Sequence, residues 1–437
     1  MLAVFLPPGH AMSRKPELQA EADASVSRAA TSTPEKLTLQ EAYALALRRS
    51  EDLAIRKVDI DQSWADFMQA SGEFIGDMNF EMLHSRQKDT GAGGDGATGN
   101  ALRNTRRARQ FTYSQPLFQG FKSLGAFGGA GNLRQQKVQE RIRAEHLLFL
   151  DVASSFYALD RLKRGSDITR ETVRLFQIRV RELTEWEKIG KSRVSEIATA
   201  RARMKGLEAE LARQTGAYAV EKHVLAFLTG ISLNGVEPAA DESGSPGLLN
   251  VVAAVAGVED RPDVRAASEA YAVTRGNLVV AQSELWPAIS LDGNMYEKRE
   301  GFQSDIDWDI LLTVDVPVYK GGETFSKITN AIMDRRKAKL TYEKTVRGAE
   351  SEIKQKYDAW RSSEEELRAL EEAVQASEEN YRLQREDYEK NLVDNLDVLA
   401  ALETLNDDRL ESNRALYESR VNYWTFRVAS GDCCESV

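Results

Sequence analysis

Gln115-Pro116-Leu117-Phe118-Gln119-Gly120 closes one run of alternating residues, and Val316-Pro317-Val318-Tyr319-Lys320-Gly321 closes another 201 residues later. The same offset carries Gly190 onto Asn391 and Glu196 onto Asp397, so segments far beyond the anchor stay in register. Repetition held at one offset over that distance is the mark of a duplicated unit, not of a chance motif.

Ahead of each anchor lie two segments with a period of two, the repeat of a half-buried strand. From Phe74 to Met82 the even positions carry Phe74, Met78, Phe80 and Met82, against Asp77, Asn79 and Glu81. Next, Phe111, Tyr113 and Leu117 oppose Gln110, Thr112 and Ser114. In the second half Ile289, Leu291 and Met295 oppose Ser290, Asp292 and Asn294. Trp308, Ile310, Leu312, Val314, Val316 and Val318 then oppose Asp309, Thr313 and Asp315. Each half is therefore expected to supply one β-hairpin. The loop of the first, around Gly91–Gly96, lacks the Gly-Lys-Ser/Thr ending of a phosphate cradle and reads as a surface loop.

After each anchor the period changes to that of a helix. Ile142, Phe149, Val152, Phe156 and Leu159 answer Tyr342, Val346, Ala349, Ile353, Tyr357 and Trp360. Leu367, Leu370, Val374, Tyr381 and Tyr388 keep a near-heptad rhythm, which favours side-by-side coiled-coil packing. If mostly helical, Ser123–Ile189 would span about 100 Å. Both long helices should break at equivalent places, Ile189-Gly190-Lys191-Ser192 and Asn391-Leu392-Val393-Asp394. Gly and Asn are the residues best able to take a left-handed helix stop. Return helices are expected over about Val194–Leu228 and Leu396–Val428.

Four alternating segments fit a soluble antiparallel sheet with one face on a core. Very long helices, however, offer no compact cover for four apolar faces, which then need lipid or further copies of the chain. Open sheet edges are not tolerated in lipid, so a membrane reading requires closure by oligomerisation, and three copies would give twelve strands. Phe118, Tyr319 and Trp286 sit near strand ends, where an interfacial aromatic belt would lie.

Composition sets further bounds. A charged fraction of 29% and a net charge of −10 argue against general nucleic-acid binding. Ten prolines in 437 residues leave room for long helices. No apolar run reaches the length of a spanning helix. Cys433 and Cys434 are adjacent near the C-terminus and build neither a disulfide framework nor a metal site. The four histidines fall in no ligand pattern, and no nucleophile-elbow motif occurs, so no enzyme activity, metal or cofactor is expected. The expected organisation is a disordered segment or signal remnant over 1–36, a first repeat over 37–231, a linker over 232–249, a second repeat over 250–431 and a tail over 432–437.

Strand hairpins that feed long helical hairpins, duplicated in one chain, resemble the TolC-type outer-membrane channel family. The residues that carry the resemblance are the helix start Leu37-Thr38-Leu39-Gln40-Glu41-Ala42, the two strand exits and the Gly190 and Asn391 turns. It implies a mainly α fold with a small β portion: a homotrimer with a twelve-stranded barrel in the Gram-negative outer membrane, continuing into a periplasmic helical tunnel. It also implies a passive exit duct for tripartite efflux or type I secretion, fed by an inner-membrane RND or ABC transporter through a periplasmic adaptor. Phe111, Tyr113, Trp308, Ile310, Leu312 and Val314 would then face outer-membrane lipid. Ile189, Gly190, Lys191, Ser192, Asn391, Leu392 and Val393 match the family's adaptor-docking tips. Glu196, Asp397 and the adjacent Asp394 fall where the family places acids near the tunnel entrance, although a solvated helix face explains them equally well. Without the resemblance, a soluble coiled-coil scaffold is the alternative, but it leaves the paired hairpins and matched helix breaks unexplained.

Overall fold

The computed structural model describes residues 36–86, 105–233, 235, 237–239, 250–299 and 305–431. The Gly-rich loop, most of the expected N-terminal segment, and Cys433 and Cys434 lie outside the described residues.

The chain opens with strand β1 (Lys36–Leu37) and helix α1 (Leu39–Arg49). Thr38 and Glu41 form a reciprocal cap at that start: Thr38 N–H donates to Glu41 Oε2 at 3.0 Å, and Glu41 N–H donates to Thr38 Oγ1 at 3.2 Å. Helix α2 (Glu51–Gly72) follows, then β2 (Asp77–Arg86), β3 (Thr105–Gln119) and the 67-residue α3 (Lys122–Lys188). Helix α4 (Val194–Thr229) returns and ends at β4 (Glu237–Pro238), which pairs in parallel with β1. The second half repeats the order with α5 (Val251–Ala256), a short 3-10 turn, α6 (Pro262–Ser283), β5 (Ala288–Arg299), β6 (Trp308–Asp315), the 67-residue α7 (Glu323–Glu389) and α8 (Asn395–Ala429). No helix of the described residues is long and apolar enough to cross a membrane.

Left-handed backbone recurs at the offset seen in the sequence. Gly120 (φ 60°) and Phe121 (φ 70°) answer Gly321 (φ 59°) and Gly322 (φ 85°). Likewise Gly190 (φ 76°) answers Asn391 (φ 57°), and Gly230 (φ 73°) answers Gly431 (φ 81°). Each strand exit thus reverses through two successive left-handed residues. In the first repeat Phe121 holds the second of them, with its ring edge-on to Phe118 and Trp286.

The chain divides into two compact units, each drawing on both repeats. One comprises the residues up to Arg49, Asp151–Ser245 and Leu367–Tyr417. Its core includes Phe176, Leu183, Ala200, Leu399 and Leu402, contributed by α3, α4 and α8. The other comprises Ser50–Leu150, Pro246–Glu366 and the residues from Glu418 onward. Its core gathers Val258, Val264, Ala349, Ile353, Phe426 and Ala429, with Trp360 stacked on Phe426. Beside that core the fully buried Arg261 donates to the Ala429 carbonyl at 2.7 Å and to Asp263 and Glu352 at 2.7 Å each. Burial alone would raise the Asp263 carboxyl, but the Arg261 guanidinium outweighs it and holds the group below the ordinary carboxylate range.

The second unit also holds a four-stranded antiparallel sheet in the order β2-β3-β5-β6. β2 with β3 and β5 with β6 are the two expected hairpins, joined through β3 and β5. Two expected boundaries shift. β2 starts at Asp77, not Phe74, because residues 73–75 form the turn that ends α2 and Gly76 (φ 82°) is left-handed. β6 stops at Asp315, before Pro317, which has no N–H for a ladder. The matching Pro116 stays within β3 at a register shift against β5.

The two strand exits make a controlled pair. A Cβ at Gly120 would stand 2.6 Å from the Ser283 carbonyl and 2.7 Å from Trp286 Cβ, whereas one at Gly321 would meet nothing within 4 Å. Gly321→Ala is expected to cost about 1 kcal/mol for the left-handed backbone alone. Gly120→Ala should cost at least about 2 kcal/mol more, from the clash. Denaturant unfolding of both variants checks this, and equal losses would contradict it.

Candidate functional site: the strand sheet and the helix-hairpin tips

Directly paired residues of adjacent strands share a face, so register alone sorts the sheet into two surfaces. On one, Phe80, Phe111, Met295 and Trp308 form a row across all four strands. The next rows are Met78, Tyr113, Gly293 and Ile310, then Gln115, Leu291 and Leu312, then Ile289 and Val314. Every strand residue expected to face lipid therefore lies on one continuous apolar surface. Trp308, Ile310, Leu312 and Val314 are 55–65% exposed, and nothing in the described chain covers them.

The opposite surface is polar and internally bonded. Ser114 Oγ donates to Asp292 at 2.5 Å, Asn294 Nδ2 to Asp309 at 2.8 Å, the Tyr296 hydroxyl to Asp309 at 2.7 Å and Gln110 Nε2 to Glu81 at 3.0 Å. Asp77 and Asp315 share this face by register, which gives it an acidic character, and Leu311 is an apolar exception. β2 and β6 are its outer strands, each with one side unpaired among the described residues. Phe118 lies one residue before the end of β3, Trp286 two residues before β5 and Tyr319 four residues after β6, and Trp286 and Tyr319 are exposed.

The tips are two tight helix reversals in the other unit. Gly190 N–H donates to the Glu187 carbonyl at 2.9 Å and Lys191 N–H to Trp186 at 2.8 Å. Asn391 N–H donates to Tyr388 at 3.0 Å and Leu392 N–H to Asp387 at 2.9 Å. These are matching helix stops built on one left-handed residue. Ile189 and Leu392 are exposed on them, with Lys191 beside the first, while Ser192 and Val393 are half-buried.

All three acids sit at helix starts. Asp394 caps α8, its carboxylate accepting from Leu396 N–H at 2.7 Å and Asp397 N–H at 3.2 Å, and Asp397 in return accepts from Asp394 N–H at 3.2 Å. At the equivalent start of α4, Ser192 Oγ donates to Glu196 at 2.9 Å. A carboxylate in a first helical turn is held by orphan N–H groups and the helix dipole. That local role explains the acids whether or not they also meet a permeating ion.

Beneath the tips lies a residue that sequence reasoning missed. Arg179 of α3 is buried, donates to Asn395 Oδ1 at 2.8 Å and lies 4.0 Å over the Tyr388 ring, which stacks on Trp186. It thus clasps the two hairpins just below their turns. Burial pushes the Tyr388 phenol above its ordinary value. Farther down, Arg203 of α4 donates to Glu403 of α8 at 2.6 Å, while burial pushes the Glu403 carboxyl up. Among the described residues no cluster of three or more His, Cys, Asp or Glu could hold a metal.

Residues 258–431 match the family model described as outer membrane efflux protein. The probable efflux pump outer membrane protein TtgC of Pseudomonas putida is 21% identical over 408 residues, 89% of this chain and 81% of that protein. The solved structure of CusC, described in terms of folding and transmembrane channel formation, superposes with a TM-score of 0.81 at 18% identity, covering 90% of this chain and 92% of that one. The outer membrane protein VceC of Vibrio cholerae gives 0.78 at 18% identity, covering 90% and 96%. The resemblance read from the sequence therefore holds. The chain is similar over residues 258–431 to the outer membrane efflux protein family, and it shares the mainly helical fold with a small strand portion of the solved outer-membrane channels.

Proposed function

We infer that this chain is the outer-membrane exit duct of a tripartite export system, passively conducting cargo handed to it by an inner-membrane transporter of the RND or ABC type through a periplasmic adaptor. One observation carries the reading: a register-continuous apolar face backs a polar, acidic one on a sheet with two open sides. In the outer membrane each open side requires a partner strand. Three copies join β6 of one to β2 of the next, close twelve strands, turn the apolar face to lipid and enclose the acidic one. The helices extend into the periplasm. The repeats 37–231 and 250–431 are the duplicated units of this design. Phe118, Trp286 and Tyr319 mark the periplasmic boundary of the lipid. The Ile189–Ser192 and Asn391–Val393 turns are the adaptor-docking tips, and Asp397, with Glu196 and Asp394, lines the entrance as well as capping its helices. Conduction needs no catalytic step. The soluble-scaffold alternative leaves the exposed apolar sheet face without a cover.

Val314→Arg puts a charge in the lipid at a cost of about 2–4 kcal/mol near the bilayer midplane. The expected result is a marked loss of outer-membrane trimer, read by native gel of membrane extracts; normal yield would reverse the assigned face. Leu392→Asp should leave the trimer intact and abolish site-specific crosslinking to the adaptor, and undiminished crosslinking would remove the tip from the docking surface. Asp397→Asn keeps an acceptor for the helix cap but loses the charge. Bilayer recordings should then show weaker cation preference at an unchanged melting temperature, whereas unchanged selectivity would assign Asp397 to the cap alone.

A further inference from the structure

The apolar face of the sheet does not end in polar neutral residues. Every strand joins a helix or helix-ward turn at one end, and both hairpin connections, 87–104 and 300–307, lie at the other. One row beyond Phe80, Phe111 and Met295, toward those connections, Met82 pairs with Arg109 and Arg109 with Lys298. The following row is His84 with Arg107, and the last β2 residue on this face is Arg86. Arg86, Arg107, Arg109 and Lys298 are all exposed. Glu297, at the register shift beside Lys298, lies 3.3 Å from Arg109. By register the opposite face carries two arginines at this end, Arg106 and Arg299, with Glu81 and Asp309 below them, and Arg299 is 3.9 Å from Asp309. Basic residues are thus more numerous on the lipid-facing side, four against two, and directly border the apolar band.

We propose that this basic collar binds the phosphate groups of a phosphorylated glycolipid in the outer leaflet of the membrane. The inference rests on the reading of the strands as an outer-membrane span, which turns the hairpin connections, and with them the collar, to the cell exterior. Guanidinium groups bind phosphate oxygens in charge-assisted, often bidentate pairs, and Arg107 and Arg109 stand two residues apart on one strand face. The occupant is a lipid and not a soluble anion because the apolar rows beginning at Phe80, Phe111 and Met295 continue the same surface. A single ligand with phosphates above and acyl chains below satisfies both parts. Repeated in three copies, the collar would ring the barrel and hold it at a fixed depth.

The test uses full-length trimer in detergent and native mass spectrometry, with diphosphorylated lipid A and chemically dephosphorylated lipid A as probes. Wild type is expected to retain the phosphorylated lipid selectively. Arg107→Ser with Arg109→Ser should bind it roughly thirtyfold more weakly, as expected for losing two basic residues at an anionic lipid surface. Arg107→Lys with Arg109→Lys should retain binding, which separates charge from folding. Arg106→Ser with Arg299→Ser, an equal loss of charge on the opposite face, should leave lipid retention unchanged. Equal retention of the two lipids, full retention by the serine pair, or displacement by inorganic phosphate at matched concentration would each overturn the proposal. Single-channel conductance keeps the two readings apart. Lost lipid A retention by the serine pair with intact conductance supports the collar, and intact wild-type conductance without selective retention removes the collar while leaving the channel. A wild-type protein that neither conducts nor retains lipid removes both.

Discussion

A β-sheet cannot leave backbone N–H and C=O groups facing hydrocarbon, and that constraint governs the rest of this molecule. The four strands satisfy their inner ladders and leave one side of β2 and one side of β6 open. They also present a face of Phe, Met, Trp, Ile, Leu and Val over which nothing among the described residues folds. The chain is incomplete by itself at just these places. Other copies can close the edges, and lipid can cover the face. The polar surface behind, tied by the Asp292 and Asp309 hydrogen bonds, is suited to line water.

Duplication supplies the same solution twice, down to the backbone. The left-handed residues at the strand exits, at the helix tips and after the return helices fall in pairs at one offset. Side chains have diverged around this conserved geometry. Phe121 occupies a left-handed position where the other repeat has Gly322, and Asn391 stands where the first has Gly190. Arg261 ties the second repeat together, joining the start of α6, the middle of α7 and the last carbonyls of α8 through one buried guanidinium.

The strands were legible because a period of two survives on a surface that is apolar on one side only. The tips were legible because a left-handed stop narrows the choice to Gly or Asn. Helices α2 and α6 left no such trace. The residues that α6 buries include Ala266, Ala272 and Ser283, small groups that draw no hydrophobic stripe. In α2 the large apolar side chains Ile55, Val58, Trp64 and Met68 are exposed while Leu53 and Ser63 are buried. Arg179 was invisible for another reason, since its partner Asn395 lies 216 residues away and no local pattern joins them. The pairing of Asp394 with Asp397 could have been read as a capping box, a local alternative to a charge filter.

The central claim is that copies of this chain close a water-filled barrel around the acidic face of the sheet. Single-channel recording of full-length protein in a planar bilayer, with oligomeric mass determined on the same preparation, tests it most directly. A trimer that opens discrete, cation-preferring conductances is the expected result. A membrane-extracted protein that is not trimeric and never inserts would contradict the account.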